Sequence, residues 1–403
     1  MNLKELKYKA NYYTLLLLIF VTPLERRLGP PLIGLFVLTS FINGDLKQNK
    51  KKTVLLFTTI FALYLISLFY STNFNTGVED LIKKLSLLVF PIAVFVSRIN
   101  YREKMNSFFR AFIDGCFASG ILSLIVSTIN YHFTLDNNSF FYGNSSVFLH
   151  TSYFAMYANF SILIIYHFIF TENNNKYFTI KRLLLLLFFS IMIITSTSKT
   201  GLISLVIIHG CAILYWIVKE KAWVKGIFTI FTFSIALTSV FIISSTVRNR
   251  VNELINVTAT GDTSSGSTTA ARIEIWKISL DLIKEKPLLG YGVGDVHEKL
   301  TNQYLDKGYL ELYKKKLNAH NQWLQTTLST GLIGGLLLLL IFIIPMYMSG
   351  KKQEFLYLFF LLLVLFNLLT ESMFLRQAGV VFYALFNAVF FSAVFDYSDR
   401  KKI

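Results

Sequence analysis

The chain is short of acid: 23 Asp and Glu stand against 39 Lys and Arg, a formal charge of +16. Such a surplus points to nucleic acid only when it coats a soluble surface. Here all charged residues together make up 15% of the chain, and long apolar runs separate them. Membrane topology accounts for the imbalance, and no nucleic-acid partner is expected. Cysteine is scarce: Cys116 and Cys211 are the two present, and both fall inside apolar runs. This argues against a structural disulfide and leaves the redox compartment unread. Residues 1–10 are basic, but the apolar run after them ends in "PLERR" without a small-residue cleavage site, so no cleavable signal is expected. No Walker loop, HExxH helix or Asp-x-Asp pair occurs. "GYGVGD" (290–295) fails as a dinucleotide loop because it follows a helical pattern, not a strand. Neither nucleotide, metal nor any other cofactor is expected.

What the chain has is apolar surface. It is 54% hydrophobic and holds 39 Phe. Runs near 20 residues, separated by short polar joints, read as an all-α polytopic membrane protein. Runs such as "LLLLLFFSIMII" (183–194) do not alternate, which excludes a β-barrel. About twelve spans are expected, near 11–24, 28–43, 53–71, 83–97, 108–130, 152–171, 182–198, 200–218, 223–245, 323–348, 354–370 and 377–396. Pro23, Pro30 and Pro31 crowd the first two. Lysine and arginine gather in alternate joints: Lys47, Lys50, Lys51 and Lys52; Arg98, Arg102 and Lys104; Lys219, Lys221 and Lys225. The positive-inside rule then puts both termini in the cytoplasm. The expectation is one transmembrane domain, 1–403, with one long external joint, 246–322, between the ninth and tenth spans.

Long loops in compact proteins usually carry function. This one holds a Ser/Thr/Gly stretch, "TGDTSSGSTT" (260–269), and then "AARIEIWKISLDLIKEKPLLGYGVGD" (270–295). Ile273, Trp276, Leu280 and Ile283 share a helical face, and Pro287 with the glycines after it ends the helix. Two readings are open: an amphipathic helix lying on the membrane-water interface, or a helix packed over the bundle.

The polar residues worth weighing fall on the same expected side. His320 and Asn321, in "NAHNQWLQ", sit at the mouth of the tenth span. Histidine titrates near neutrality and suits a general base; Asn321 is placed to orient it or to bind an acceptor. No second metal ligand lies nearby in sequence. Arg272 is expected in the first turn of its helix, where a cation opposes the macrodipole, and guanidinium suits phosphate. Lys199, in "TSTSKTGLIS", occupies a tight hairpin between apolar spans, where a charge is costly; it reads as a pyrophosphate contact or as a lysine snorkelling to water. Arg248 and Arg250 either bind anionic headgroups or anchor the ninth span. Glu371 and Arg376, in "LTESMFLRQAG", pair with each other or face a common cavity. His150 opens the sixth span.

"TSTSKTGLISL", "RIEIWKISLDLIKEKPLLGYGVG" and "HNQWLQTTLSTGLIGGLLLL", in that order, resemble the O-antigen ligase and O-antigen polymerase superfamily of bacterial inner-membrane glycosyltransferases. "HTSYFAMYANF" and "LTESMFLRQAG" are similar to the same group. The resemblance covers most of the chain. It implies an undecaprenyl-diphosphate-linked glycan donor, a hydroxyl acceptor such as lipid A-core or a growing glycan, contact with membrane lipids, and a periplasmic active site. It implies that His320 is the base and that Arg272 and Lys199 hold the diphosphate; Arg248 and Arg250, read from the span exit and not from the resemblance, are counted as further donor contacts. Asn321, Tyr291, Glu371, Arg376 and His150 would support the site or the acceptor. Lys199 stands where the family usually has arginine, so a point charge replaces a planar fork there. A ligase is favoured, with a polymerase of the same superfamily as the alternative. A lipid-linked oligosaccharide flippase is the rival of another class, expected to carry mid-span charges and short loops.

Overall fold

A computed structural model describes residues 2–44, 49–172, 176–221 and 268–395, with scattered positions between 223 and 252. Every regular element among the described residues is helical. In chain order the α-helices are α1 (Leu3–Val21), α2 (Gly29–Asn43), α3 (Thr59–Leu68), α4 (Phe74–Lys84), α5 (Ser86–Val96), α6 (Tyr101–Thr134), α7 (Thr151–Thr171), α8 (Lys176–Ser196) and α9 (Lys199–Glu220). Then come α10 (Thr268–Glu285), α11 (Val296–Asp306), α12 (Leu310–Lys315), α13 (Gln322–Lys351), α14 (Phe355–Leu368) and α15 (Gln377–Phe395).

Among the described residues, six helices are long and apolar enough to cross a membrane: α6, α7, most of α8 and α9, α13 and α15. Three shorter apolar helices lie at Gly29–Asn43, Thr53–Leu68 and Phe355–Leu368. The expected span at 83–97 is α5, shorter at 11 residues, because Lys83 and Lys84 end the polar helix α4 before the apolar run begins. The ninth expected span, 223–245, lies largely outside the described residues.

The chain forms two compact units. One comprises Ile19–Arg26 and Phe109–Gly261. Here α7 is almost wholly buried, as befits a helix apolar on all faces. It is pinned to α9 by the Asn159 amide, which donates to the Ala155 carbonyl at 2.9 Å and the Gly201 carbonyl at 3.0 Å. Gly201 permits the approach: a Cβ there would meet the Ala155 Cβ at 2.6 Å.

The other unit comprises Met1–Leu18, Arg27–Phe108 and Asp262–Ile403. Its centre is α15, buried along its length, with Tyr357 of α14 stacked on Phe390 at 5.0 Å. On α13 rests a small helical cap built by α10, α11 and α12. Ile275, Ile278 and Leu282 of α10 pack with Val296, Leu300, Tyr304 and Leu312 around Leu328 of α13. Of the two readings of the 270–283 helix, the packed one holds, and the face is rotated from the expected one. The buried stripe is Ile275, Ile278 and Leu282, whereas Leu280 is exposed. The sequence offers two overlapping apolar faces on this helix, and burial of Tyr291 and Tyr304 selects between them.

The glycine run after α10 is what docks the cap. Gly331 takes φ 69°, ψ −171° inside α13 and interrupts its ladder. The break frees the Leu328 and Ser329 carbonyls and the Leu332 N–H, and buried groups of this kind need partners. The loop supplies all three. Tyr291 N–H donates to Leu328 at 2.8 Å, Gly292 N–H to Ser329 at 3.0 Å, and Leu332 N–H to the Pro287 carbonyl at 2.7 Å. A Cβ at Gly331 would lie 1.9 Å from the Leu288 carbonyl oxygen.

Candidate active site

The corner before α13 is built to hold one side chain. Ala319 is clamped on both sides: its N–H donates to Gln325 Oε1 at 3.2 Å, and its carbonyl accepts from the Trp276 indole at 3.1 Å. Asn321 caps α13, its side-chain oxygen accepting from the N–H groups of Trp323 and Leu324 at 2.9 and 3.1 Å. Between these two ties His320 is forced to φ 44°, a conformation uncommon outside glycine. Its N–H donates to Asn318 Oδ1 at 2.9 Å. Strained backbone of this kind persists when its surroundings over-determine it, and it clusters at functional sites.

The His320 ring points at a carboxylate. Nδ1 lies 3.5 Å from Glu371 Oε2, is itself buried and makes no hydrogen bond. The two facts agree: the separation is within ion-pair range but makes no hydrogen bond. The other oxygen, Glu371 Oε1, accepts from Arg272 Nη2 at 2.8 Å. One carboxylate therefore bridges the imidazole and the guanidinium, and all three side chains are partly exposed.

This geometry revises several expected roles. Asn321 spends its oxygen on helix capping and so shapes the corner. Glu371 pairs with Arg272 and not with Arg376, which is exposed. Arg272 lies in the second turn of α10, because the helix begins at Thr268; the expected conflict with the helix end does not arise. Tyr291 is buried core. Its hydroxyl donates to the Leu282 carbonyl at 3.1 Å and to Glu285 Oε2 at 2.7 Å. Burial, and then the Glu285 carboxylate, push its phenol well above the ordinary range, so it stays protonated as a donor.

Three expected residues lie in the other unit. Lys199 opens α9, whose cap is Ser198 accepting from Gly201 N–H; it is half-buried. A cation in this first turn opposes the helix macrodipole. His150 caps α7, its Nδ1 accepting from Ser152 N–H at 3.4 Å. Arg248 is helical and half-buried. Arg250 lies outside the described residues.

Sequence reasoning missed the residues that brace the corner. Asp295 accepts from Thr72 N–H, Thr72 Oγ1–H and Asn73 N–H, each at 2.8 Å. Burial raises its carboxyl, yet these hydrogen bonds outweigh that and hold it below the ordinary value. Gln322 and Gln325 were visible only as parts of a motif. No local signal marks Tyr64 and Phe374, the distant partners of Gln322.

The fold is many-helix and membrane-type, and it gathers a histidine, a carboxylate and a guanidinium at the start of a long apolar helix. Residues 183–339 match the sequence model of the O-antigen ligase family. The match runs from within α8 through α9 and the cap to the first part of α13, and it supports an O-antigen ligase- or polymerase-type function. Among curated proteins nothing matches.

Proposed function

We propose that the protein transfers a glycan from a lipid-diphosphate carrier, of the undecaprenyl type, to a hydroxyl acceptor of the lipid A-core kind at the periplasmic face of the bacterial inner membrane. The observation that carries this reading is the bridge of Glu371 between His320 and Arg272. With Nδ1 facing the carboxylate, Nδ1 carries the hydrogen and Nε2 is left as the base. Nε2 takes the acceptor hydroxyl proton, the hydroxyl oxygen attacks the anomeric carbon, and the bond from that carbon to the phosphate oxygen breaks. The diphosphate leaves with the electron pair, next to the Arg272 guanidinium. Cationic side chains aimed at a developing oxyanion are worth several kcal/mol, ~3–4 for one donor in comparable sites. Lys199 is the second cation assigned to the donor, Arg248 and Arg250 are assigned to its headgroup region, and His150 and Arg376 to the acceptor side.

The assay is purified protein in lipid with an undecaprenyl-diphosphate-linked glycan and an acceptor glycolipid. Turnover is expected from the wild type and none from His320→Ala at equal abundance; undiminished turnover by that variant would remove the base assignment. Deleting the gene separates ligase from polymerase. Full-length polymer left unattached supports the ligase reading, whereas acceptor carrying single repeat units supports the polymerase.

A further inference from the structure

Lys84 is a buried lysine that the chemistry above does not use. It is 1% exposed. Its ammonium pairs with Asp80 one turn earlier and lies 4.9 Å from the centre of the Tyr64 ring. A charge so deep in a protein is costly unless paired, so its location calls for a reason. Tyr64, itself 1% exposed, leads toward the active corner. Its hydroxyl and that of Thr326 are 2.6 Å apart. The Gln322 amide donates to Thr326 Oγ1 at 3.0 Å and to the Tyr64 hydroxyl at 3.4 Å. The other end of that amide, Gln322 Oε1, accepts from Phe374 N–H at 2.7 Å. Gln322 and Thr326 are fully buried.

Gln322 follows the His320-Asn321 corner directly, and Phe374 sits in the turn that follows Glu371. One buried amide therefore joins the corner that carries the imidazole to the turn that carries the carboxylate. The same amide contacts the Tyr64 hydroxyl, and the Asp80–Lys84 pair reaches it only through the Tyr64 ring. The two pieces of backbone joined this way carry His320 Nδ1 and Glu371 Oε2, which lie 3.5 Å apart.

We infer that the Asp80–Lys84 pair and Tyr64 are positioning residues, which act through Gln322 to hold Glu371 against His320. The inference rests on the catalytic reading above and adds residues from α3 and α4 to it. Misplacing a catalytic group by about 1 Å can cost ~100-fold in rate, so a tie of this kind matters even though it never touches substrate.

Tyr64→Phe is the mild test, since it removes one hydroxyl and keeps the ring under Lys84. Removing Lys84 alone would strand a buried carboxylate and risk misfolding, so the pair is replaced together in Lys84→Met/Asp80→Leu, the kind of swap that buried ion pairs often tolerate. Both are assayed with the lipid-linked donor and glycolipid acceptor, beside Glu371→Gln and the combinations with it. A roughly tenfold or greater fall in kcat, with donor KM within about twofold, is expected for each. In the Glu371→Gln background the same changes are expected to cost less than about twofold, because residues acting as one unit are not additive. Wild-type kcat in both variants overturns the inference, as does a loss that multiplies in full with Glu371→Gln. His320→Ala, run alongside, separates the two levels. If it keeps turnover, the catalytic reading fails and this one with it; if it is dead while the two variants match wild type, only this one fails.

Discussion

His320 keeps its buried Nδ1 free of hydrogen bonds while the polar side chains around it serve the fold. In "HNQWLQ" Asn321 caps α13, Gln322 ties two chain segments and Gln325 fixes Ala319; these are structural duties that hold the histidine out toward Glu371. His320→Ala is therefore expected to leave abundance unchanged and to abolish transfer, as measured with lipid-linked donor. Arg272 pairs with Glu371 and, in the proposed reaction, also faces the donor diphosphate. Lysine in its place keeps the charge and loses the fork. Arg272→Lys is expected to reduce kcat/KM by roughly ten- to a hundredfold, of the order seen when a transition-state donor is removed, and steady-state kinetics with varied donor would read it.

At the scale of elements, a break in α13 and a glycine loop are matched to each other. Gly331→Ala combines φ 69° with a Cβ buried in the Leu288 backbone. A loss above about 1 kcal/mol is expected, larger than an ordinary surface change, seen as a lower thermal midpoint and poorer yield in detergent. Asp295 ties the root of α11 to the start of α4. Its carboxyl is held below the ordinary value of 3.8. Its contribution is therefore complete above that value and is lost as pH falls through the lower folded one. Asp295→Asn is expected to reduce protection of the Thr72 and Asn73 amides at neutral pH. Wild type is expected to approach the variant only below about pH 4; hydrogen-exchange protection factors, corrected for intrinsic rates, would show it.

At the scale of the whole molecule, the expectation is for chemistry done by side chains and a lipid-borne leaving group. Activity is expected to persist in chelator with no added nucleotide, measured as glycan transferred in lipid vesicles. A strict requirement for either would place the protein in another class. The two compact units each contribute to the matched family region: α8 and α9 with Lys199 from one, the cap and His320 from the other.

The sequence by itself determined the helical, membrane-type class, because apolar runs near 20 residues leave the backbone few other ways to satisfy its polar groups in lipid. It also determined the family resemblance and the prominence of His320, Arg272 and Glu371, since polar residues beside such runs are few. Tertiary structure alone decided which of these meet. Glu371 is 99 residues from Arg272, and no period or spacing reports a contact made by folding. The same holds for the rotated face of α10, where two apolar stripes competed and packing against Tyr291 and Tyr304 chose one. It holds too for Gly331, whose break in the helix makes sense only once the Pro287–Gly292 loop is laid beside it. Local pattern fixes which segments must be buried; long-range contact fixes which polar groups they bring face to face.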